Sequence, residues 1–308
     1  MKAQATSTLP QPYRTNVIVD TTADTQRALL QLNRRRLTPV LESMSWNEEL
    51  DSEYSLRQLE HRFIERERLA VRARAAEAPA VASDFVRWFE ALRETGPGQN
   101  DHLFPWLESE ATLAQMKWFL EQEMAGEAGF DDLVACTQVK LPVRAKLELA
   151  RNYWDEMGQG TLSGMHGPML EGLAHALELK PEPEHTVWES LALANLMSGL
   201  ATNRRYTYQS LGALGVIELT APGRSTKVNA GLKRLGVSGA ARRYYALHAT
   251  LDVKHAAAWQ SEVLYSLVEH EPRTARLIAE GALMRLHAGA RCFHRYRHEL
   301  WDNNLEAG

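Results

Sequence analysis

The stretch "YYALHATLDVKHAAAW", residues 244–259, sets two imidazoles and a carboxylate in an otherwise alanine-rich, apolar segment. On a helix advancing about 100° per residue, His248, Asp252 and His255 fall within an arc of about 60° and form one stripe. Leu247, Leu251, Ala258 and Trp259 beside them predict a largely buried segment, where each unpaired polar group costs kcal/mol unless it is hydrogen-bonded or bound to metal. Any one of these residues is ordinarily a satisfied core or surface group. Three on one stripe favour a metal, and imidazole with carboxylate suits iron, manganese or zinc. One helix cannot close such a site, so other segments must supply ligands.

Three segments offer them. "NYWDEMGQGTLSGMHGPML" places Glu156 ten residues before His166, with Gly158, Gly160, Gly164 and Gly167 in and just after the interval. On one ideal helix the two side chains would stand about 80° apart, and the glycines permit the bend that brings them together. A surface acid next to a plain loop is the alternative. Glu218 is the only charged residue in "SLGALGVIELTAP". Read as the end of an apolar helix, it is either exposed by the terminus or held inward by a partner, and a negative helix C-terminus gives it no electrostatic reason to be there. In "FLEQEMAGEAGF", Glu123 and Glu127 share a face with Phe119 and Phe130, so one of them can turn inward, although a solvated acidic face is the default.

The elements that must position these groups read as helices throughout. Gly and Pro punctuate long runs of Ala, Leu, Glu and Arg, and alternating β-branched runs are almost absent, which predicts an all-α protein. Residues 1–20 read as a flexible leader. Helices are expected at "TADTQRALLQLNRRRL", "SEYSLRQLEHRFIERERLAVRARAA" and "ASDFVRWFEALRE", followed by a loop at "TGPGQNDHLFP". One long helix is expected from Ser109 to Gln138, one from Glu184 to Leu219 that "TAPGR" ends, and a short one near "KVNAGLKRLG". The 308 residues, 44% hydrophobic and 24% charged, suffice for a large core. A net charge of −4 with interspersed signs shows no basic stripe for nucleic acid. Two distant cysteines, Cys136 and Cys292, imply free thiols in a reducing, cytoplasmic compartment. No segment approaches the ~18 apolar residues of a membrane span, and no signal-peptide pattern is present.

Glu156-x9-His166, an isolated Glu218 and His248-x3-Asp252-x2-His255 together resemble the metal-ligand pattern of the haem-oxygenase-like diiron oxidases and oxygenases, also called iron-containing redox enzymes. The resemblance spans roughly residues 110–300, and "NYWDEMG" and "LHATLDVKHAAAW" are its most specific words. It implies a bundle of about seven core helices with extra N-terminal helices. By it, residues 21–105 are a helical extension packed on the core, and 106–308 a diiron-binding domain. Glu156 and His166 would come from the first core helix, Glu218 from the second, and His248, Asp252 and His255 from the third. An additional glutamate would be Glu123 or Glu127. The cofactor implied is two iron ions with O2 as co-substrate and no haem.

The donor set agrees with that likeness. Three carboxylates and three imidazoles neutralise most of the charge of two Fe(II) ions and leave positions for O2 and substrate, whereas a structural zinc site commonly uses Cys, absent from these positions. Family members N-oxygenate amines of amino acids and related metabolites, or cleave C–C bonds in amino or fatty acids. N-oxygenation of a small amine is the leading expectation here, with oxidative cleavage or desaturation, and a non-catalytic helical binding protein, as alternatives. Thr207, Leu211 and Leu214, one to three turns before Glu218, are candidates to line a substrate pocket. Arg204 and Arg205 lie too far along the same helix and read as solvent-facing. Expected partners are a small-molecule substrate, with neither nucleic acid nor membrane; an external electron donor and a homodimeric state stay open.

Overall fold

The computed structural model describes residues 22–39 and 45–302, so the expected leader at 1–20 lies outside the described residues. The chain enters through α1 (Thr22–Leu37), the long α2 (Trp46–Ala75), α3 (Ala82–Thr95) and α4 (Leu103–Ser109). It continues through α5 (Leu113–Gly126), α6 (Phe130–Thr137), α7 (Val143–Glu156), α8 (His166–Leu177) and α9 (Trp188–Thr202). It closes with α10 (Thr207–Arg234), α11 (Arg243–Ala258), α12 (Ser266–His270) and α13 (Thr274–Arg297). A π-helical stretch, Trp259–Tyr265, joins α11 to α12 without a break. No strand occurs among the described residues, and the fold is the expected all-α, haem-oxygenase-like bundle.

Helix α10 is the axis of the bundle. It packs along α13 on one side and α11 on the other, and also touches α3, α4, α6 and α9. Its first half is pressed against α13 with almost no side chain between: a Cβ at Gly212 would lie 1.9 Å from the Ile278 carbonyl oxygen, and one at Gly281 1.8 Å from that of Gln209. Only glycine allows backbones so close. The N-terminal helices are tied to this body by buried polar contacts. Asn33 donates to Asn195 (2.8 Å), Asn195 donates to the Gln26 carbonyl (2.8 Å), and Arg68 pairs with Glu280 (2.6 Å), linking α1 to α9 and α2 to α13.

Three boundaries differ from expectation. The stretch from Ser109 to Gln138 is two helices: Thr112 caps α5 in a capping box with Gln115, and Ala128 and Gly129 turn through positive φ (60° and 70°) before α6. The stretch from Glu184 to Leu219 is also two helices, parted at Asn203, whose side chain accepts from the Arg205 amide (3.1 Å). The exposed Arg204 closes the C-terminal end of α6 by donating to the carbonyls of Cys136, Thr137 and Val139. Finally, "TAPGR" ends nothing. Helix α10 runs through Pro222 to Arg234, with Glu218 in its interior rather than at its end. A proline removes one amide donor and tends to kink a helix, yet α10 continues through it to Arg234 while packed along α11 and α13 over its length.

Between α7 and α8 the chain makes two 3-10 turns, Gly158–Gly160 and Leu162–Gly164, which are closed by an antiparallel bridge between Met157 and Met165. Glu156 and His166 therefore do not share a bent helix; they end one helix and begin the next, brought face to face by the bridge. Gly158 sits at φ 59°, and a Cβ there would lie 2.2 Å from the Gly164 carbonyl carbon. Gly158→Ala should therefore open this link, costing about 1–3 kcal/mol of backbone strain or rearrangement. Its melting temperature should fall by roughly 2–4 °C per kcal/mol. Gly172→Ala, which meets nothing within 4 Å inside α8, should not fall; equal melting of the two variants would contradict the account.

Candidate metal centre

The bridge places the Glu156 and His166 side chains 2.5 Å apart, Oε2 to Nδ1, without the geometry of a hydrogen bond. Glu218 on α10 and His248, Asp252 and His255 on α11 converge on the same spot. All are buried except His248, which is partly so. Two groups of three have ligand atoms within 4.8 Å of one another: Glu156 with His166 and His248, and Glu156 with Glu218 and His255. Glu156 belongs to both. Neither group includes Asp252, Glu123 or Glu127. Asp252 is nonetheless buried against them, with its Oδ1 unpartnered.

Helix α11 reverses the expected arrangement of its faces. Leu247 and Leu251 are only partly buried, and of the four buried residues, Tyr245, Asp252, His255 and Ala256, three are ionisable. The polar stripe is the inward face. Backbone and side-chain partners orient its imidazoles. His248 Nδ1 lies 2.8 Å from the Tyr244 carbonyl, so that nitrogen carries the proton and Nε2 keeps a lone pair. His255 Nε2 lies 3.2 Å from Asp155 Oδ2, which leaves Nδ1 facing Glu218 at 3.4 Å. Asn152 donates to Glu218 Oε1 at 2.6 Å. A carboxylate or carbonyl behind a histidine is the usual means of aiming an imidazole lone pair at a cation.

The electrostatics of the metal-free cluster are unfavourable. Burial, then the charge of Glu218, holds the Glu156 carboxyl well above the ordinary range. Burial lowers His166 and His248 to about 4. Asp252 is raised, first by burial and then by Glu218. His255 alone gains a proton: burial would lower it, but the hydrogen bond and charge of Glu218, with help from Asp155, carry it to about 9. Burial by itself would also raise Asp155, yet hydrogen bonds from Gln159 and His255 bring it below its usual value. Burial thus pushes Glu156, His166 and His248 toward their uncharged forms with their ligand atoms close together, a set of donors that a cation would satisfy.

A cavity of about 180 Å³ adjoins the cluster, lined by Glu156, His166, Glu218, His248 and Asp252. Glu123 and Glu127 line it too. Burial raises both, Glu127 to about 7 with further push from Glu156. Thr207, Leu211 and Leu214 do not line it. Leu211 and Leu214 are fully buried in the core, and Thr207 donates to the Arg204 carbonyl. They occupy Glu218's face of α10, but the cavity opens along the helix beside and after Glu218, at Ile217, Ala221, Arg224, Ser225 and Val228. The side before it is sealed by the close approach of α13.

A sequence model of the iron-containing redox enzyme family matches residues 117–290, more than half of the chain. The chain belongs to the iron-containing redox enzyme family. Membership supports an oxidoreductase, and the matched span contains every residue of both triads. A crystal structure of a CADD-like protein of unknown function from Nostoc punctiforme superposes with a TM-score of 0.51, over 78% of this chain and 98% of that one, at 16% identity. That likeness concerns the fold. No curated protein matches the chain.

The residues present in this iron-containing redox enzyme fit a metal on structural grounds: His166 Nδ1 and Asp252 Oδ1 are buried without hydrogen-bond partners, at the spot where His255 Nδ1 faces Glu218 at 3.4 Å. Sequence reasoning missed four groups around it. Asn152 and Asp155 were visible in "NYWDE", one turn and one residue before Glu156. Arg224 and Arg285 went unread, the former because "TAPGR" looked like a helix end.

Two predictions follow from the electrostatics. His255 binds its proton more tightly folded (about 9) than unfolded (6.5). Its contribution is therefore complete below pH 6.5 and lost as pH rises toward 9. Asp252, raised in the fold from 3.8 to about 9, keeps its proton where the unfolded chain has lost it, so its contribution also falls as pH rises through that range. The metal-free protein should melt at steadily lower temperature from pH 6.5 to 9, and Asp252→Asn should flatten that fall and stabilise the metal-free state. A flat profile in the unaltered protein would contradict both shifts. Asp155→Asn should leave the fold intact but weaken metal binding by about 10–100-fold, the usual scale for a partner behind a ligand; unchanged affinity would show that Asp155 does not orient His255.

Proposed function

We propose that the chain is an O2-dependent, non-haem diiron oxygenase that oxidises a small nitrogen-bearing metabolite, by N-oxygenation of an amine. The observation that carries this reading is the pair of triads sharing Glu156. Glu156, His166 and His248 would hold one ion and Glu156, Glu218 and His255 the other, with Asp252 beside them. Two iron ions held there would supply the electrons that reduce O2.

The chain's own residues do the rest. The Tyr244 carbonyl and Asp155 fix the imidazole orientations, and Asn152 fixes Glu218. The helices on all sides keep bulk water from the cluster. Beyond the ligands, Glu123, Glu127 and Asp131 line the cavity together with Arg224 and Arg285, a polar wall that favours a charged metabolite bearing an amine over a hydrocarbon chain. At about 180 Å³ the cavity is smaller than the ~300–1,000 Å³ typical of larger ligands, which supports a substrate of metabolite size rather than a fatty acyl chain.

On anaerobic reconstitution the protein should take up two Fe(II) per chain. His248→Ala and His255→Ala should each empty a different position and retain about one, since losing a ligand costs at least the ~10-fold of a lesser outer change. Glu156→Ala should retain neither tightly. Metal analysis with circular dichroism to confirm helicity checks this, and unchanged iron in both histidine variants would sink the assignment. Screening small amines with isotopically labelled O2 should show label in one oxidised nitrogen product; label found solely in carbon–carbon cleavage products would overturn the N-oxygenation part.

A further inference from the structure

We propose that Arg224 on α10 and Arg285 on α13 form a carboxylate-binding subsite in this cavity, so that the substrate is a small monocarboxylate oriented by two guanidinium groups. As a statement about substrate it rests on the oxygenase reading; as a binding site it stands on the geometry of the two arginines.

Both arginines line the cavity with the cluster. Elsewhere in the bundle, inward-turned arginines are paired: Arg36 with Glu60 at 2.6 Å, Arg68 with Glu280 at 2.6 Å, and Arg291 with Glu67 at 3.0 Å. Arg224 and Arg285 are the exceptions, since among the described residues no carboxylate oxygen lies within 4.0 Å of either guanidinium. Arg224 donates to Thr220 Oγ1 (3.0 Å) and lies over the rings of Phe104 and Phe293, at 6.0 and 5.7 Å. Arg285 Nε is buried with no partner at all. Leaving such a group unpaired is costly.

The charge of the occupant follows from the neighbours. Glu123 is the acid that both arginines act on, and burial raises its carboxyl against their pull. Burial lowers both arginines, Arg224 to about 10, so both stay charged at neutral pH. Glu127 also acts on Arg285 and Asp252 on Arg224, so the two guanidiniums sit among acids and suit a singly charged carboxylate better than a phosphate dianion, and the planar fork of a guanidinium fits carboxylate oxygens in pairs. Position sets the size of the occupant. Arg224 follows Glu218 by six residues, about 9 Å along α10, so a molecule of a few bonds spans from the arginines to the ligand cluster. Arg224 and Phe104 also line a separate outer cleft with Pro105, Thr220 and Lys227, so these side chains form a wall shared by the cavity and the surface.

Calorimetric titration of the full-length, metal-free chain with butyrate, butylamine and inorganic phosphate tests the subsite without iron to bind the probe. Butyrate should bind, and Arg224→Gln and Arg285→Gln should each weaken it at least 10-fold, with Arg→Lys recovering part of the loss. Glu123→Gln should tighten butyrate several-fold by removing the competing carboxylate, which keeps the test decisive if an arginine variant fails to fold. No butyrate binding, equal binding in the variants, or phosphate bound more tightly than butyrate would overturn the proposal. Iron uptake is measured separately: a chain that binds butyrate as described but takes up no Fe(II) refutes the oxygenase reading and leaves the subsite standing.

Discussion

A single side chain, Glu156, has to face His166, His248, Glu218 and His255 at once, out of water, and much of the bundle answers to that requirement. The ligands come from α7, α8, α10 and α11, so four helix axes must be fixed relative to one point. The glycine contacts between α10 and α13 lock one of them, and the Met157–Met165 bridge locks α7 to α8. Asn152 ties α7 to α10 through Glu218, and Asp155 ties it to α11 through His255. The same contacts that orient the donors are cross-links between helices. Fold and site are therefore not separable layers: a change that moves α7 moves a donor, and a change that removes a donor removes a cross-link.

That coupling explains which features were legible in the amino-acid order. The all-α class and the stripe on α11 follow from local periodicity, and both stand in the structure. The pairing of Glu156 with His166 was visible as spacing, but its means was not, because a loop closed by two methionine backbones leaves only glycines as a trace. Glu218 was singled out for the wrong reason. It was placed at a helix end, either exposed there or held inward by a partner, whereas it lies buried mid-helix with Asn152 and His255 as partners, and the acid of the cluster left with an orphaned oxygen is Asp252. The proline rule misled here because α10 as a whole is held between α11 and α13, contacts made along its length that one missing hydrogen bond does not undo.

The side of Glu218 on which the cavity opens was beyond sequence reasoning for a related reason. Residues before and after Glu218 share its face equally well, so periodicity offers Leu211 and Leu214 as readily as Ala221 and Ser225. What decides is the distance between α10 and its neighbours, which narrows where Gly212 and Gly281 meet and widens past Ile217. Distances between helices are set by pairs of residues remote in sequence, such as Gln209 with Gly281, and no local pattern reports them. Arg224 became visible only after α10 was known to continue through Pro222.

The energetics of α11 complete the picture. An ordinary amphipathic helix is held by apolar area on its inner face, but the buried residues here are Tyr245, Ala256, Asp252 and His255. Without a cation, burying the last two works against docking, since Asp252 is driven toward neutrality and His255 depends on one carboxylate pair for its charge. With a cation, the same two groups become the strongest links that α11 has to the body. Metal affinity and the docking of α11 are then two descriptions of one equilibrium. The chain has placed its least favourable buried charges on the helix whose loosening would open the cluster, so a cation bound there would hold α11 closed with the same free energy that holds the cation.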